Sequence, residues 1–344
     1  MAKKLPAIGI TIGDPAGIGP EITAKALARK DIYSICNPIV VGDAQVMSQA
    51  VKITGVKLKV NAIDQVENAI YRHGTIDIID LKNVDINSLI RGKVSALAGK
   101  AAFESVKTVI GFALKKQIDA TVTGPINKKS LSLAGFHYSG HTEIYADLTN
   151  TRDYAMMLMD GQMKIVHVST HVSLRQACDL VKKDRILMII KLARKALMKF
   201  GIKNPRIGVA GLNPHASDSG LFGYEEEREI IPAIRAARRS GMDVDGPVPA
   251  DTLFSKAKGG QYDVVVAMYH DQGHIPLKVM GFNWNKKLNK WESVKGVNIT
   301  LGLPIIRTSV DHGTAFDQAG KGTAMAQSLI YAIKCAAKLA SPMR

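Results

Sequence analysis

The sequence predicts an α/β protein with two α/β/α domains, and three observations predict it. Short runs of β-branched residues recur along the chain, each ending at Gly or at polar residues, as buried strands of parallel sheets do. Long amphipathic or Ala-rich stretches alternate with them, so consecutive strands are joined by crossover helices that cover the sheet. The length, 344 residues, suffices for two hydrophobic cores.

Ile8-Gly-Ile-Thr-Ile-Gly13 reads as the first strand, and Pro20-Glu21 opens the first helix with a favoured start signal. The turn between them, Gly13 to Glu21, can present backbone N–H groups to an anion. It lacks the third glycine of the dinucleotide fingerprint. Pro38 to Gly42 and Ile76 to Asp80 read as strands, Ala44 to Val51 and Ser95 to Lys116 as helices, and Ala120 to Gly124 as a further strand. Near Pro125 to Ser130 the chain leaves this unit. A loop from Leu133 to Glu143 leads into a helix capped by Thr142 or a neighbour. Tyr154 to Asp160 and Met163 to His171 read as strands of a hairpin around Gly161, with the methionines as core. Val181 to Phe200 and Tyr224 to Ser240 read as helices, Arg206 to Gly211 as a strand, and Asp245 to Thr252 as a Pro-rich turn presenting Asp251. Trp284 and Trp291 flank a polar turn, a small hairpin. Gly296 to Gly302, Pro304 to Arg307 and Asp311 to Ala315 complete the series, and Ala324 to Leu339 closes the chain as an amphipathic helix.

The stretch Val264 to Lys278 joins a buried strand to a polar cluster, with Gly273 and Pro276 bending the chain. Ligands of open α/β sheets bind beyond the carboxyl ends of strands, which places His270, Asp271, His274 and Lys278 where chemistry is expected.

Composition narrows the function. Cys36, Cys178 and Cys335 form no Cys-x-x-Cys pair, so neither a disulfide framework nor a thiolate zinc site is indicated, and a reducing cytoplasm fits. The N-terminus lacks a signal peptide's apolar core, and no apolar run reaches the roughly 20 residues of a membrane span. A net charge of +16 draws anions, phosphorylated small molecules or nucleic acid among them. The basic residues are dispersed, and no zinc-finger spacing or base-stacking strand accompanies them, so a nucleic-acid-binding protein is the weaker reading from another class. A non-catalytic metal or phosphate sensor is a third.

His171, His215 and His270 each end a strand pattern. Neutral imidazoles hold divalent transition metals, and three protein ligands leave positions for substrate. Asp251 and Asp271 are candidates to orient the ligands or move a proton, with Lys128 a third candidate base. His167 and His171 are four apart, but β-branched neighbours and the missing Glu exclude a zincin helix.

Taken together, Gly13-Asp-Pro-Ala-Gly-Ile-Gly-Pro-Glu21, Ser139-Gly-His-Thr-Glu143, Leu212-Asn-Pro-His-Ala216, Tyr269-His-Asp-Gln-Gly273, Gly296 to Pro304 and Arg307 to Ala315 closely resemble the PdxA family, the 4-hydroxythreonine-4-phosphate dehydrogenases. Two of these motifs also resemble the wider isocitrate/isopropylmalate dehydrogenase group. The resemblance implies that group's fold, with residues 1–127 and 300–344 forming a first domain carrying the cofactor loop and 128–299 a second. It implies a homodimer with active sites in the interdomain cleft and shared between subunits. It also implies NAD or NADP at His312, Gly313, Thr314 and Ala315, and one divalent metal ion (Zn, Mg, Co or Mn) on His171, His215 and His270, one of them from the partner. His141, Thr142, Lys278, Asn298 and Arg307 would contact substrate. The activity implied is oxidation and decarboxylation of 4-phosphohydroxy-L-threonine to 3-amino-2-oxopropyl phosphate, as in pyridoxine biosynthesis. His274-Ile-Pro276 resembles instead a branch acting on D-threonate or D-erythronate 4-phosphate, and residues between Phe282 and Val297 are extra.

Overall fold

The computed structural model describes residues 5–286, 290–294 and 296–341. The expectations on residues 1–4 and on 287–289 and 295 of the tryptophan segment lie outside the described residues. The chain divides into two compact units, one formed by residues up to Thr151 and from Leu303 onward, the other by residues 152–302.

The first unit contains six strands in the order Lys59–Ile63, Thr75–Asp80, Asn37–Gly42, Ala7–Thr11, Ala120–Thr123, Arg307–Val310. Every pairing among them is parallel, and all but one of these strands are almost entirely buried, with no alternation between an inner and an outer face. Lys59–Ile63, which the sequence pattern did not single out, is the exposed edge and is correspondingly polar. The crossover helices start and stop on local signals. Asp43 accepts N–H bonds from Gln45 and Val46 at the start of Ala44–Thr54, and Gly55 ends it at φ 66°. Ser95 caps Ala96–Leu114.

Residues 128–148, which the sequence reading grouped with the second domain, pack in the first unit. Helices Lys128–Leu133 and His141–Leu148 place Leu131, Ile144 and Tyr145 in one apolar cluster with Phe103, Val106 and Val109. Gly99 permits the closest approach, since a Cβ there would lie 2.0 Å from the Ser130 carbonyl oxygen. Helix His141–Leu148 begins at Gly140 with no side-chain cap, so the expected Thr142 cap is not made.

The second unit contains strands Val297–Leu301, Ala155–Asp160, Met163–His167, Val264–Ala267, Ile207–Ala210 and Val244–Val248, in that order. The first two pairings are antiparallel and the others parallel, so this half is mixed. The hairpin turns at Gly161, φ 55°, and Met156 and Met157 are buried core residues as the sequence implied. Strand Val244–Val248 and helix Ala250–Lys258 replace the expected Pro-rich turn; Pro247 is tolerated because the strand lies at the edge. His270–Gly281 is a helix, where Gly273 and Pro276 had suggested a bend. Leu277 secures its inner face in the core with Ile165 and Val265.

Candidate functional site

Three parallel strands of the second unit stand side by side, Val264–Ala267 between Met163–His167 and Ile207–Ala210, and their carboxyl ends deliver the three histidines. The ends are tied together. Val168 N donates to Ala267 O, and Ser169 Oγ donates to Met268 O at 3.0 Å. The buried Gln272 accepts from Met268 N at 2.7 Å and donates to Gly211 O at 2.8 Å, so one side chain links the His270 turn to the loop carrying His215. Sequence reasoning missed Gln272 because a Gln carries no chemistry of its own there.

His171 and His270 come together, with ring centroids 5.7 Å apart. With Asp271, Thr170, Ser173 and Tyr269 they line a cavity of about 510 Å³. His270 Nδ1 lies 2.6 Å from Asp271 Oδ1, so in the neutral ring Nδ1 carries the proton and Nε2 keeps its lone pair for a metal. That donor chemistry fits a divalent transition ion. His215 does not join them: it stands exposed on the next loop, 6.1 Å from the Phe222 ring. Among the described residues no three His, Cys, Asp or Glu side chains of one chain form a metal-binding group. Asp251 is exposed in the first turn of Ala250–Lys258, and Lys128 is exposed at the start of its helix.

Behind His270 runs a column of imidazoles. His274 stacks on His270 at 3.6 Å and lies 4.8 Å from His167. Burial, followed by the neighbouring His270, pushes the His274 pKa down to about 4; burial, followed by His274, pushes His167 to about 3. Gly273 makes room for this column, because a Cβ there would lie 2.3 Å from His167 Nε2. Lys278, two turns along the same helix, is half-buried with its ammonium 5.8 Å from the Phe282 ring centroid. Asn298, on Val297–Leu301, has a buried Oδ1 with no hydrogen-bond partner.

In the first unit, Arg307 is 2% exposed and donates from Nη2 to Thr123 Oγ1 at 2.9 Å, with its guanidinium carbon 5.5 Å from the Tyr145 ring centroid. Tyr145 in turn donates to Thr121 Oγ1 at 3.0 Å. Thr123 and Tyr145 were not legible as site residues, since a strand Thr and a helix Tyr are ordinary in sequence. His141, next to Thr142 at the start of its helix, has a buried Nε2 with no partner. Burial first and the Arg307 charge second hold its pKa well below 6.5.

The turn Gly13 to Glu21 is not the open anion cradle that the sequence suggested. Asp14 N, Gly17 N and Ile18 N donate to Pro125 O, Asp14 O and Thr314 O, and Ala16 N donates to Asp14 Oδ1. The turn instead holds the segment containing His312, Gly313, Thr314 and Ala315. The buried Glu21 accepts from Gly320 N at 2.6 Å and Gly322 N at 2.8 Å, and Lys25 donates to Gly322 O and Ala324 O. His312 keeps a buried Nε2 without a partner.

The buried imidazoles carry a pH prediction. The unfolded chain protonates His141 and His167 near 6.5, whereas the folded chain binds those protons only at much lower pH, at about 3 for His167. Stability is therefore lost as pH falls below about 6.5. Asp14 acts oppositely: burial raises its carboxyl to about 6, so the folded state prefers the protonated form as pH falls through that value. His274 and His312 are lowered by burial in the same way, so with four imidazoles against one carboxyl the melting temperature measured by calorimetry should fall between pH 6.5 and 4; a rise would contradict the neutral assignments.

Among the described residues no helix is long and apolar enough to cross a membrane. Residues 34–336 match the family model described as the pyridoxal phosphate biosynthetic protein PdxA. A Clostridium botulinum relative (strain Langeland) named "Putative D-threonate 4-phosphate dehydrogenase" is 47% identical over 338 residues, covering 98% of each chain. One of the same name from Oceanobacillus iheyensis is 48% identical over 342 residues, 99% of each. A solved Salmonella typhimurium structure described as that of a "putative 4-hydroxythreonine-4-phosphate dehydrogenase" superposes with a TM-score of 0.86 at 46% identity, covering 98% of this chain and 99% of that one. These matches establish the expected fold: the chain belongs to the PdxA family and is an NAD(P)-dependent dehydrogenase of that type.

Proposed function

We propose that the chain oxidises and decarboxylates D-threonate 4-phosphate, giving dihydroxyacetone phosphate and carbon dioxide. The observation that carries this choice is the name shared by relatives 47–48% identical over nearly the whole chain. Electrostatics supports it. The candidate substrate contacts include Arg307 and Lys278, and Asp271 is already engaged by His270. A hydroxy acid phosphate brings more negative charge to such groups than 4-phosphohydroxy-L-threonine, whose 2-ammonium is a cation. That amino acid is the second reading, favoured by the titles of solved structures 44–46% identical. D-erythronate 4-phosphate is the remaining candidate.

His171, His215 and His270 would hold a divalent cation, and His312, Gly313, Thr314 and Ala315 the dinucleotide. When bound, the cation would supply Lewis-acid stabilisation of negative charge on a substrate oxygen, and the dinucleotide would supply a hydride acceptor. Arg307, His141 and Thr142 bind the phosphate. Lys278 neutralises the carboxylate, and Asn298 Oδ1 accepts from a substrate hydroxyl. Asp271 orients His270, and Asp251 takes the hydroxyl proton.

Steady-state NAD(P)H production from the three phosphates, side by side, tests the substrate. D-threonate 4-phosphate should give the highest kcat/KM, and a higher value with 4-phosphohydroxy-L-threonine would reverse the choice. We further propose a homodimer in which one of the three histidines comes from the second copy. Pairwise mixing of inactive His171→Ala, His215→Ala and His270→Ala proteins, with subunit exchange, should restore activity in two of the three mixtures. Restoration in none would place all three ligands on one chain.

A further inference from the structure

His215 opens an unusual backbone segment. His215, Ala216, Ser217, Asp218 and Ser219 all have positive φ, at 55°, 54°, 71°, 46° and 59°. No other two positive-φ non-glycine residues among those described are adjacent. A left-handed run crowds each Cβ against the backbone and is normally confined to single residues, so the surrounding structure must impose it.

The fastening is a carboxylate. Glu226 is fully buried, in a π-helical turn Glu226–Ile230 whose extra residue re-aims its side chains. Its Oε1 accepts from Leu212 N and Asn213 N, both at 2.7 Å, and its Oε2 accepts from Asn213 Nδ2 at 2.8 Å. Asn213 Nδ2 also reaches Glu225 Oε2 at 2.7 Å, and Ala216 N donates to Asn213 O. Within the run, the buried Ser217 accepts from Gly220 N through Oγ and from Phe222 N through its carbonyl. Gly211 and Gly223 leave room for these contacts, since a Cβ at Gly211 would lie 2.9 Å from Ala216 Cα and one at Gly223 2.5 Å from Asn213 Nδ2.

We propose that Glu226 is the positioning residue for His215: its carboxylate pins residues 212 and 213 so that the left-handed turn presents the imidazole at the angle a metal requires. The assignment rests on His215 being a metal ligand. A carboxylate suits the task because it accepts from two successive amides and a side-chain amide at once, and charge-assisted bonds hold the strained segment in place. Glu226→Gln keeps the shape but turns one acceptor into a donor facing donors.

The test titrates metal-free protein with Co2+, read by calorimetry and by the visible cobalt spectrum, for the parent, His215→Ala, Glu226→Gln and Asn213→Ala. Glu226→Gln should bind Co2+ about 10–100-fold more weakly than the parent with an altered spectrum. Asn213→Ala, which keeps both amide bonds and serves if Glu226→Gln does not fold, should also bind more weakly. A purely structural role would lower the melting temperature but leave the affinity and spectrum of folded protein unchanged, and that result overturns the proposal. If the parent takes up no Co2+, or His215→Ala binds as the parent does, the metal reading fails and the proposal with it; parent-like Glu226→Gln beside a defective His215→Ala removes the positioning role alone.

Discussion

His270→Ala is expected to remove the bound metal and to lower kcat by about 10³-fold or more, with little loss of stability. One imidazole of a three-histidine site supplies a bond that water or a neighbouring group replaces poorly, and the cation's contribution to the C3 oxygen disappears with it. The fold has less at stake. His270 is half-buried at the first position of its helix, and helix His270–Gly281 is anchored elsewhere by Leu277 and by the two Gln272 bonds. What the fold loses is the stack on His274, worth about 0.5–1.5 kcal/mol for an aromatic pair. Metal content by mass spectrometry, kcat and thermal melting on one preparation separate these effects. Asp271→Asn should fall between parent and His270→Ala, retaining metal with affinity reduced about 10–100-fold, because it removes the orienting carboxylate and not the ligand. Stoichiometric metal and near-parent turnover in His270→Ala would sink the three-histidine site.

Much of this arrangement was legible in the sequence because strand cores and chemical residues leave local signals. Val264 to Ala267 is all β-branched or small, and a histidine and an aspartate follow within four residues of it, so a strand feeding a site could be read directly. The helix at His270–Gly281 was not legible. Gly273 and Pro276 are both poor helix formers, and what overrides them is tertiary: Gly273 is demanded by the His167 ring, and Pro276 sits in a helix whose Leu277 is in the core. The glycine-rich turn failed for a related reason. Its glycines look like an anion cradle, yet a Cβ at Gly17 would lie 3.0 Å from Thr314 and Ile18 N bonds Thr314 O, a contact nearly 300 residues distant that no local pattern announces. The same holds for Glu226 and Tyr145, whose roles exist only through partners brought by folding. The first domain boundary was misplaced because residues 128–148 are polar in sequence while burying Leu131, Ile144 and Tyr145 against a helix from earlier in the chain.

Arg307→Lys is expected to raise KM for the phosphorylated substrate and lower kcat/KM by about 10²-fold, roughly 2.7 kcal/mol, while kcat changes only a few-fold. Charge is not what the substitution removes. Burial lowers the Arg307 pKa to about 10, with Tyr145 and then Glu143 acting against the shift, so the group is cationic at neutral pH. What the substitution removes is a held plane. The guanidinium is fixed on one side by the Thr123 hydroxyl and on another by the Tyr145 ring, itself held by Thr121, and a plane so fixed offers paired N–H groups to two phosphate oxygens. An ammonium in the same space is a point charge on a flexible stem; it meets one oxygen at a time and must be ordered on binding. Inorganic phosphate, as a competitive inhibitor, separates anchoring from chemistry: its inhibition constant should rise in parallel with KM. Tyr145→Phe should show a smaller change in the same direction, since the ring face stays and only the hydrogen bond to Thr121 is lost. If KM and the phosphate inhibition constant are both unchanged in Arg307→Lys, the phosphate is held elsewhere and Arg307 serves the fold.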